Sequence, residues 1–265
     1  MSDVVKKLSE AVQRCGRFPT QPVGVKLARG HEPAPPRAKY PLRDLGTTLA
    51  LCQGMTIART YGWTMAFRRE DHACPVAAVF LGHAEPDIFL GGAIAGTYQE
   101  TEECGRIMEA SFPRWPLGSI REVWLVPLPA CEFDPDVAVV YGLPAQILVL
   151  IQAANFRRGP GVKSTSCGRG GCAAWVAGVI QSGECTYIVP GSGERMFAGT
   201  QDHEMSFAVP SPRFESVVDG MNYVREKGAY RYPVPSLALL AHPKIPKEYL
   251  RIDPDYRDPG IRNEK

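Results

Sequence analysis

The sequence predicts an α+β (mixed α/β) fold in one globular domain, residues 1–235, followed by an extended C-terminal tail at 236–265. Three observations carry this. Segments with helical apolar spacing and segments with two-residue alternation interleave along the whole chain. No apolar run approaches the roughly 20 residues of a membrane-spanning helix; the longest, around 143–154, is interrupted by Gln146 and Gln152. Finally, 265 residues with 45% hydrophobic and 22% charged side chains can bury a large core and are too apolar for intrinsic disorder.

The elements follow in order. The N-terminal segment places Val4, Val5, Leu8 and Val12 on one helical stripe. Pro22 to Leu27 alternates as a strand, and a proline-rich loop runs from Glu32 to Pro41. Thr47 and Thr48 are candidate caps for a helix to about Tyr61, with Gly62 as its stop; Trp63 to Arg68 then reads as a short strand. Cys74 and Pro75 open a helix through Leu81, since a proline in the first turn has no N–H to lose. Residues 84–105 carry no clear period and read as a loop before a helix near Glu102 to Ala110. Val123 to Pro127 and Val137 to Tyr141 read as strands, with Glu132, Asp134, Pro135 and Asp136 as turn chemistry. Pro144 begins an apolar helix to Ala154, ended by Gly159, Pro160 and Gly161. The glycine-rich loop from Cys167 to Cys172 leads into a helix over Ala173 to Ile180. Strands at Cys185 to Val189 and Met205 to Val209 and an amphipathic helix from Pro212 to Lys227 complete the domain. Strand, cysteine-bearing helix and a second cysteine recur as Cys52/Cys74 and Cys172/Cys185. That repetition suggests two imperfect α+β halves, about 20–115 and 120–228, against the alternative that a mixed chain of this length repeats by chance.

Thirty basic and 28 acidic side chains leave a net charge of +2, which gives no electrostatic case for nucleic acid or anionic membrane as a partner. The N-terminus lacks the apolar core of a secretory signal, so a cytoplasmic location is expected. In a reducing compartment, eight cysteines read as buried small hydrophobes, metal ligands or redox groups rather than disulfides. Cys74 and Cys172 stand at predicted helix starts, where N–H groups favour thiolate. Cys52 lies in the first turns of its helix and Cys185 begins a strand. Cys15, Cys104 and Cys131 have no glycine-rich loop or neighbouring cysteine and read as incidental thiols. Cys167 and Cys172 are separated as in plant-type iron–sulfur proteins, but the further cysteine of that motif is missing. No CxxC or zinc-finger spacing is present.

The ordered set of features from about Pro22 to Val224 resembles the DUF169 family, an uncharacterised archaeal and bacterial group also called ArCR. The matching marks are Pro22 to Lys26, Cys52 on its helix, and Asp71, His72, Ala73 and Cys74 before an alanine-rich helix ending at Leu81 and Gly82. Asp136 to Gln146, Cys172 with its helix, and Cys185 follow. Gly193 with Arg195, and Asp202 to Met205 before a strand ending at Pro210, close the set. The resemblance implies that Cys52, Cys74, Cys172 and Cys185 belong to the recurring pattern and that Cys167 is an addition. Residues 168–171 depart from that pattern as an insertion.

Four thiols from separate segments suit an iron–sulfur cluster, expected as [4Fe-4S], with zinc at the same positions as the alternative. Gly168, Gly170 and Gly171 would admit close backbone approach, and Arg169 or Arg195 would offset the cluster's negative charge. With four cysteine ligands no coordination position is open, which points to electron transfer with a redox partner protein, in a homo-oligomer or as a subunit of a complex. The competing class is a non-redox small-molecule-binding or accessory protein, with zinc or structural cysteines and Arg195, Asp202 and Glu204 lining a pocket. A thiol enzyme using Cys74 or Cys167 is a third. His72 and His203 read as surface or capping histidines before acid–base groups, and Asp202 and Glu204 as salt-bridge partners of Arg195. Gly168, Gly170 and Ala173 fit a dinucleotide fingerprint poorly, and Gly191 to Gly193 read as a turn before an anion nest. Trp63, Trp115, Trp124 and Trp175 are expected in the core.

Overall fold

Alternating side chains along the strands dictate a sheet buried on both faces. The protein, described by a computed structural model over residues 2–92, 94–158, 160–227 and 232, forms six strands. They are β1 (Val23–Ala28), β2 (Met65–Phe67), β3 (Glu122–Pro127), β4 (Val137–Gly142), β5 (Thr186–Ile188) and β6 (Met205–Pro210). All pair antiparallel in the order β2-β3-β1-β4-β6-β5. The expected tail at 236–265 lies outside the described residues.

On one face, Trp124, Val126, Ala138, Val140, Phe207 and Val209 pack against α1 (Asp3–Gly16), α8 (Pro144–Asn155) and α12 (Phe214–Lys227). On the other, Val123, Leu125, Val137, Val139, Tyr141 and Ala208 meet the cysteine-bearing helices. Those helices are α3 (Leu51–Thr56), α4 (Pro75–Phe80) and α9 (Gly171–Ala173). The i, i+2 periodicity of a strand is what sends odd and even positions into different layers. No described helix is long and apolar enough to cross a membrane.

The strand order reads the same when β1 is exchanged with β4, β2 with β5 and β3 with β6. The helices obey the same exchange. Helix α3 continues as a π-helix over Ile57–Tyr61, and α9 continues as a π-helix over Ala174–Gly178 before α10 (Val179–Ser182). Each run ends at a glycine in the left-handed region, Gly62 at φ 74° and Gly183 at φ 67°. Each then enters an edge strand, β2 or β5.

Several sequence expectations are corrected. Thr47 and Thr48 do not cap α3; the N-cap is Ala50, whose N–H is accepted by the Gln53 side chain at 2.8 Å, while α2 (Pro41–Leu45) precedes them. The segment read as loop contains α5 (Asp87–Leu90) and α6 (Ala95–Tyr98), too short to show a period, before α7 (Glu102–Ser111). Gly191 to Gly193 is not a free turn: it starts α11 (Ser192–Ala198). Trp124 and Trp175 are core, but Trp63 is 42% exposed, with the Lys39 ammonium 4.8 Å over its ring.

Candidate functional site

Three of the singled-out cysteines meet on the face opposite α1, α8 and α12. Cys52 is the second residue of α3, Cys172 the second residue of α9, and Cys74 the N-cap of α4. Helix α3 packs across onto α11, and α4 packs onto α9, so the segments cross between the two halves of the strand order. The Cys52 Sγ lies 3.9 Å from the Gly193 carbonyl, and Thr56 Oγ1 donates to the Ala198 carbonyl at 2.9 Å, pinning α3 to α11.

Burial pushes the Cys52 thiol up to about 12, with the charges of Glu194 and Cys74 adding to it. Cys172 is raised well above the usual thiol range by burial and by Cys74, Cys52 and Glu194. Cys52 and Cys172 therefore stay as neutral S–H.

Glu194, a residue the sequence reading passed over, is part of this cluster. It is 4% exposed; its Oε1 accepts the Tyr141 hydroxyl at 2.8 Å and its Oε2 the Gly191 N–H at 2.9 Å. Burial raises its pKa, outweighing those two donors. Tyr141 is itself raised well above its usual value by burial and by Glu194. Behind Tyr141 the Arg59 guanidinium lies 4.3 Å over the ring and pairs with Glu204 through Nη1–Oε1 at 2.5 Å and Nη2–Oε2 at 3.0 Å. A sequence signal for this group did exist, in the glutamate three residues after a glycine N-cap, the capping arrangement that holds Glu194 inward.

Gly171 borders Glu194, whereas Gly170 faces the Phe80 and Phe112 rings. Gly170 is the left-handed N-cap of α9 at φ 64°, and a Cβ on Gly171 would fall 2.3 Å from Glu194 Oε2. Arg195 and Arg169 turn elsewhere. Arg195 donates to the Gln201 carbonyl at 2.6 Å and stands 3.8 Å from the exposed Asp202. The expected Arg195–Glu204 pair is replaced by Arg59–Glu204. Arg169 is buried beside Glu109 at 3.2 Å, among the rings of Tyr98, Phe112 and Phe89, with Nε and Nη1 unpartnered.

Cys185 does not join the other three. It shares strand parity with Tyr187 and packs in the core of α1, α8 and α12, whereas Ile188 faces the cysteine layer. Burial raises it to about 11, and the nearby charge is the Arg213 guanidinium. With Cys167 it lines a cavity of about 890 Å³ at the β5 edge, walled also by Gly170, Gly171, Val179 and Arg213. His72 is not a surface histidine: its Nε2 is 3.0 Å from His83 Nδ1, and burial with the His83 charge lowers it to about 3.

Among the described residues, no three His, Cys, Asp or Glu side chains are drawn tightly enough together to hold one metal ion. Zinc–thiolate bonds of about 2.3 Å require that closeness.

An uncharacterized protein of Methanocaldococcus jannaschii is 24% identical over 227 residues, covering 83% of this chain and 93% of that protein. No solved structure matches. The model of the DUF169 family, described as uncharacterised ArCR, matches residues 11–220, and the chain belongs to that family.

Proposed function

We propose that the protein holds an iron–sulfur cluster of the [4Fe-4S] type on Cys52, Cys74 and Cys172, and that it works in one-electron transfer or as a redox accessory subunit. The observation that carries the reading is that Cys52, Cys74 and Cys172 sit at the starts of three helices on one face of the sheet, with Cys52 and Cys172 held neutral by burial and by the charges of their neighbours. Such thiols are poor nucleophiles as they stand and become soft thiolate ligands when iron displaces their protons. When bound, the cluster would supply an electron-accepting centre in a low-dielectric site. The chain's own residues would seat it: Gly171 keeps side-chain bulk away from Glu194 beside Cys172, and Arg59 behind Tyr141 contributes positive charge. Helix α11, which carries Glu194 inward, exposes Met196 and Phe197 outward, so the site lies one helix below the surface, a depth compatible with electron exchange with a redox partner. A cytoplasmic location and a homo-oligomer or larger complex belong to the same reading.

The test is anaerobic reconstitution with ferrous iron and sulfide, followed by iron and sulfide analysis and EPR of the reduced protein. Cys52→Ser, Cys74→Ser and Cys172→Ser should each lose most of the bound iron, whereas Cys185→Ser should keep it. A protein that stays colourless and iron-free defeats the proposal. A second reading, a small-molecule-binding accessory protein, is favoured by the cavity of about 890 Å³; its pocket would use Arg213 and Lys163 rather than Arg195, Asp202 and Glu204.

A further inference from the structure

We propose that the cavity at the β5 edge is a binding site for a small molecule that carries an oxyanion headgroup, carboxylate or phosphate, on an apolar body. The proposal deepens the second reading above by naming its ligand class, and it does not depend on the thiol site. It rests on the apolar part of the wall, on two unpaired cations, and on the segment that joins α8 to α9.

The cavity has a volume of about 890 Å³, within the range of roughly 300–1,000 Å³ of small-molecule sites. Phe112, Pro113, Ala174, Val179 and Ile188 make part of its wall apolar. Val179 and Ile188 are 1% and 4% exposed and belong to the packed layer over the sheet, so this part of the wall is preformed.

The charged part of the wall is cationic. Arg158, Lys163, Arg169 and Arg213 line the cavity against one acid, Glu184, in a chain whose net charge is only +2. Two of the four are already matched, since Arg158 pairs with Glu184 and Arg169 pairs with Glu109 at 3.2 Å. Among the described residues, no carboxylate pairs with Lys163 or Arg213. Arg213 is fixed by one nitrogen, its Nη2 donating to the Ala154 carbonyl at 3.0 Å at the end of α8, while its Nε has no partner. A guanidinium held in this way is a planar donor complementary to carboxylate or phosphate oxygens.

The segment 161–167 adds neutral donors. Beside Lys163 it carries three consecutive hydroxyls, Ser164, Thr165 and Ser166, and all four residues line the cavity. Neither these hydroxyls nor the main-chain N–H groups of residues 162–167 have a protein partner among the described residues. The segment touches the sheet where Thr186 Oγ1 donates to the Lys163 carbonyl at 2.9 Å. The related edge strand, β2, is sealed: the Lys39 N–H donates to the Thr64 carbonyl at 2.9 Å and the Lys39 carbonyl accepts the Ala66 N–H at 3.0 Å. No such backbone bridge joins β5 to the segment among the described residues, and both line the cavity. Unspent donors and cations beside a fixed apolar wall suit an amphiphilic anion.

The test is isothermal titration calorimetry of the full-length protein with three probes of one shape: octanoate, octyl phosphate and neutral octanamide. At least one anion should bind about tenfold tighter than the amide or better, and the tighter anion identifies the headgroup. Lys163→Gln, at an exposed side chain, and Arg213→Gln should each reduce that preference several-fold. The bound anion should also slow alkylation of Cys167, which lines the cavity, and leave that of exposed Cys104 unchanged. Equal binding of the three probes overturns the oxyanion and leaves the small-molecule reading standing. Binding of none overturns both. An anion preference that Lys163→Gln leaves intact, or that gives Cys167 no protection, places the anion elsewhere and overturns the site. Should Arg213→Gln fail to fold, Lys163→Gln and the protection of Cys167 decide.

Discussion

Glu204→Ala is the sharpest perturbation of the polar wall behind the site. The Arg59 and Glu204 side chains are 4% and 7% exposed and share two hydrogen bonds, and Glu204 Oε2 also accepts the Gln201 N–H at 2.8 Å. Removing the carboxylate strands a guanidinium whose Nε already lacks a partner. Breaking a buried pair from one side costs about 3–5 kcal/mol. For a domain of this size that is a fall in Tm of roughly 6–20 °C. Burial opposes the Glu204 charge, but the Arg59 hydrogen bonds, the Gln201 N–H and the Arg59 charge win, leaving its pKa below 4.5. A carboxyl depressed on folding contributes fully above its unfolded pKa and loses that contribution as pH falls through the folded one. Urea unfolding of wild type and variant should therefore show the full gap at pH 7 and a shrinking gap below about pH 4.5. The double change Arg59→Met with Glu204→Leu should recover most of the loss, because it removes the orphaned charge. A gap under about 1 kcal/mol at pH 7 would refute the reasoning.

Two further outcomes are expected. At pH 8, alkylation followed by peptide mass spectrometry should modify exposed Cys104 first, with Cys52 reacting roughly 10³-fold more slowly because burial holds it near 12; raising the pH or unfolding should close the difference, and early labelling of Cys52 would contradict its burial. Gly54→Ala should destabilise the protein by about 1–3 kcal/mol in chemical denaturation despite the better helix propensity of alanine, since its Cβ would sit 2.4 Å from the buried Phe67 ring; a gain in stability would show that the ring has room to move.

The sequence announced the sheet layers well because strand parity is local. Val137, Val139 and Tyr141 alternate with Ala138 and Val140, and each set enters the layer its parity dictates. Helix starts at Pro75 and Pro144 were equally readable from a fixed proline φ. Short helices were not, since α5, α6 and α11 span one or two turns and their limits depend on tertiary contacts. The same division holds at the site. Cys52, Cys74 and Cys172 could be picked out by their places at helix starts, and the three helices lie on one face of the sheet. Cys185 matched them in sequence order, but its strand parity turns it through the sheet, a fact that could be read only once the facing of β5 was known. Glu194 escaped notice because a lone glutamate after Gly191, Ser192 and Gly193 looks like turn chemistry until α11 is seen to begin there.

The crossed packing of α3 on α11 and α4 on α9 has a consequence for cooperativity. The halves of the strand order join at β1 and β4 through three residue pairs, Val23 with Val139, Gly24 with Ala138 and Val25 with Val137, whereas β1–β3 and β4–β6 each carry six. Cys52 and Cys74 come from one side of that short seam, and Cys172 and Glu194 from the other. Anything bound to all of them is a bolt across that seam. Its occupancy would act by mass action on the opening of the seam rather than on either half alone. The amides of β1 and β4 would then be the place where loading of the site is felt as slower hydrogen exchange.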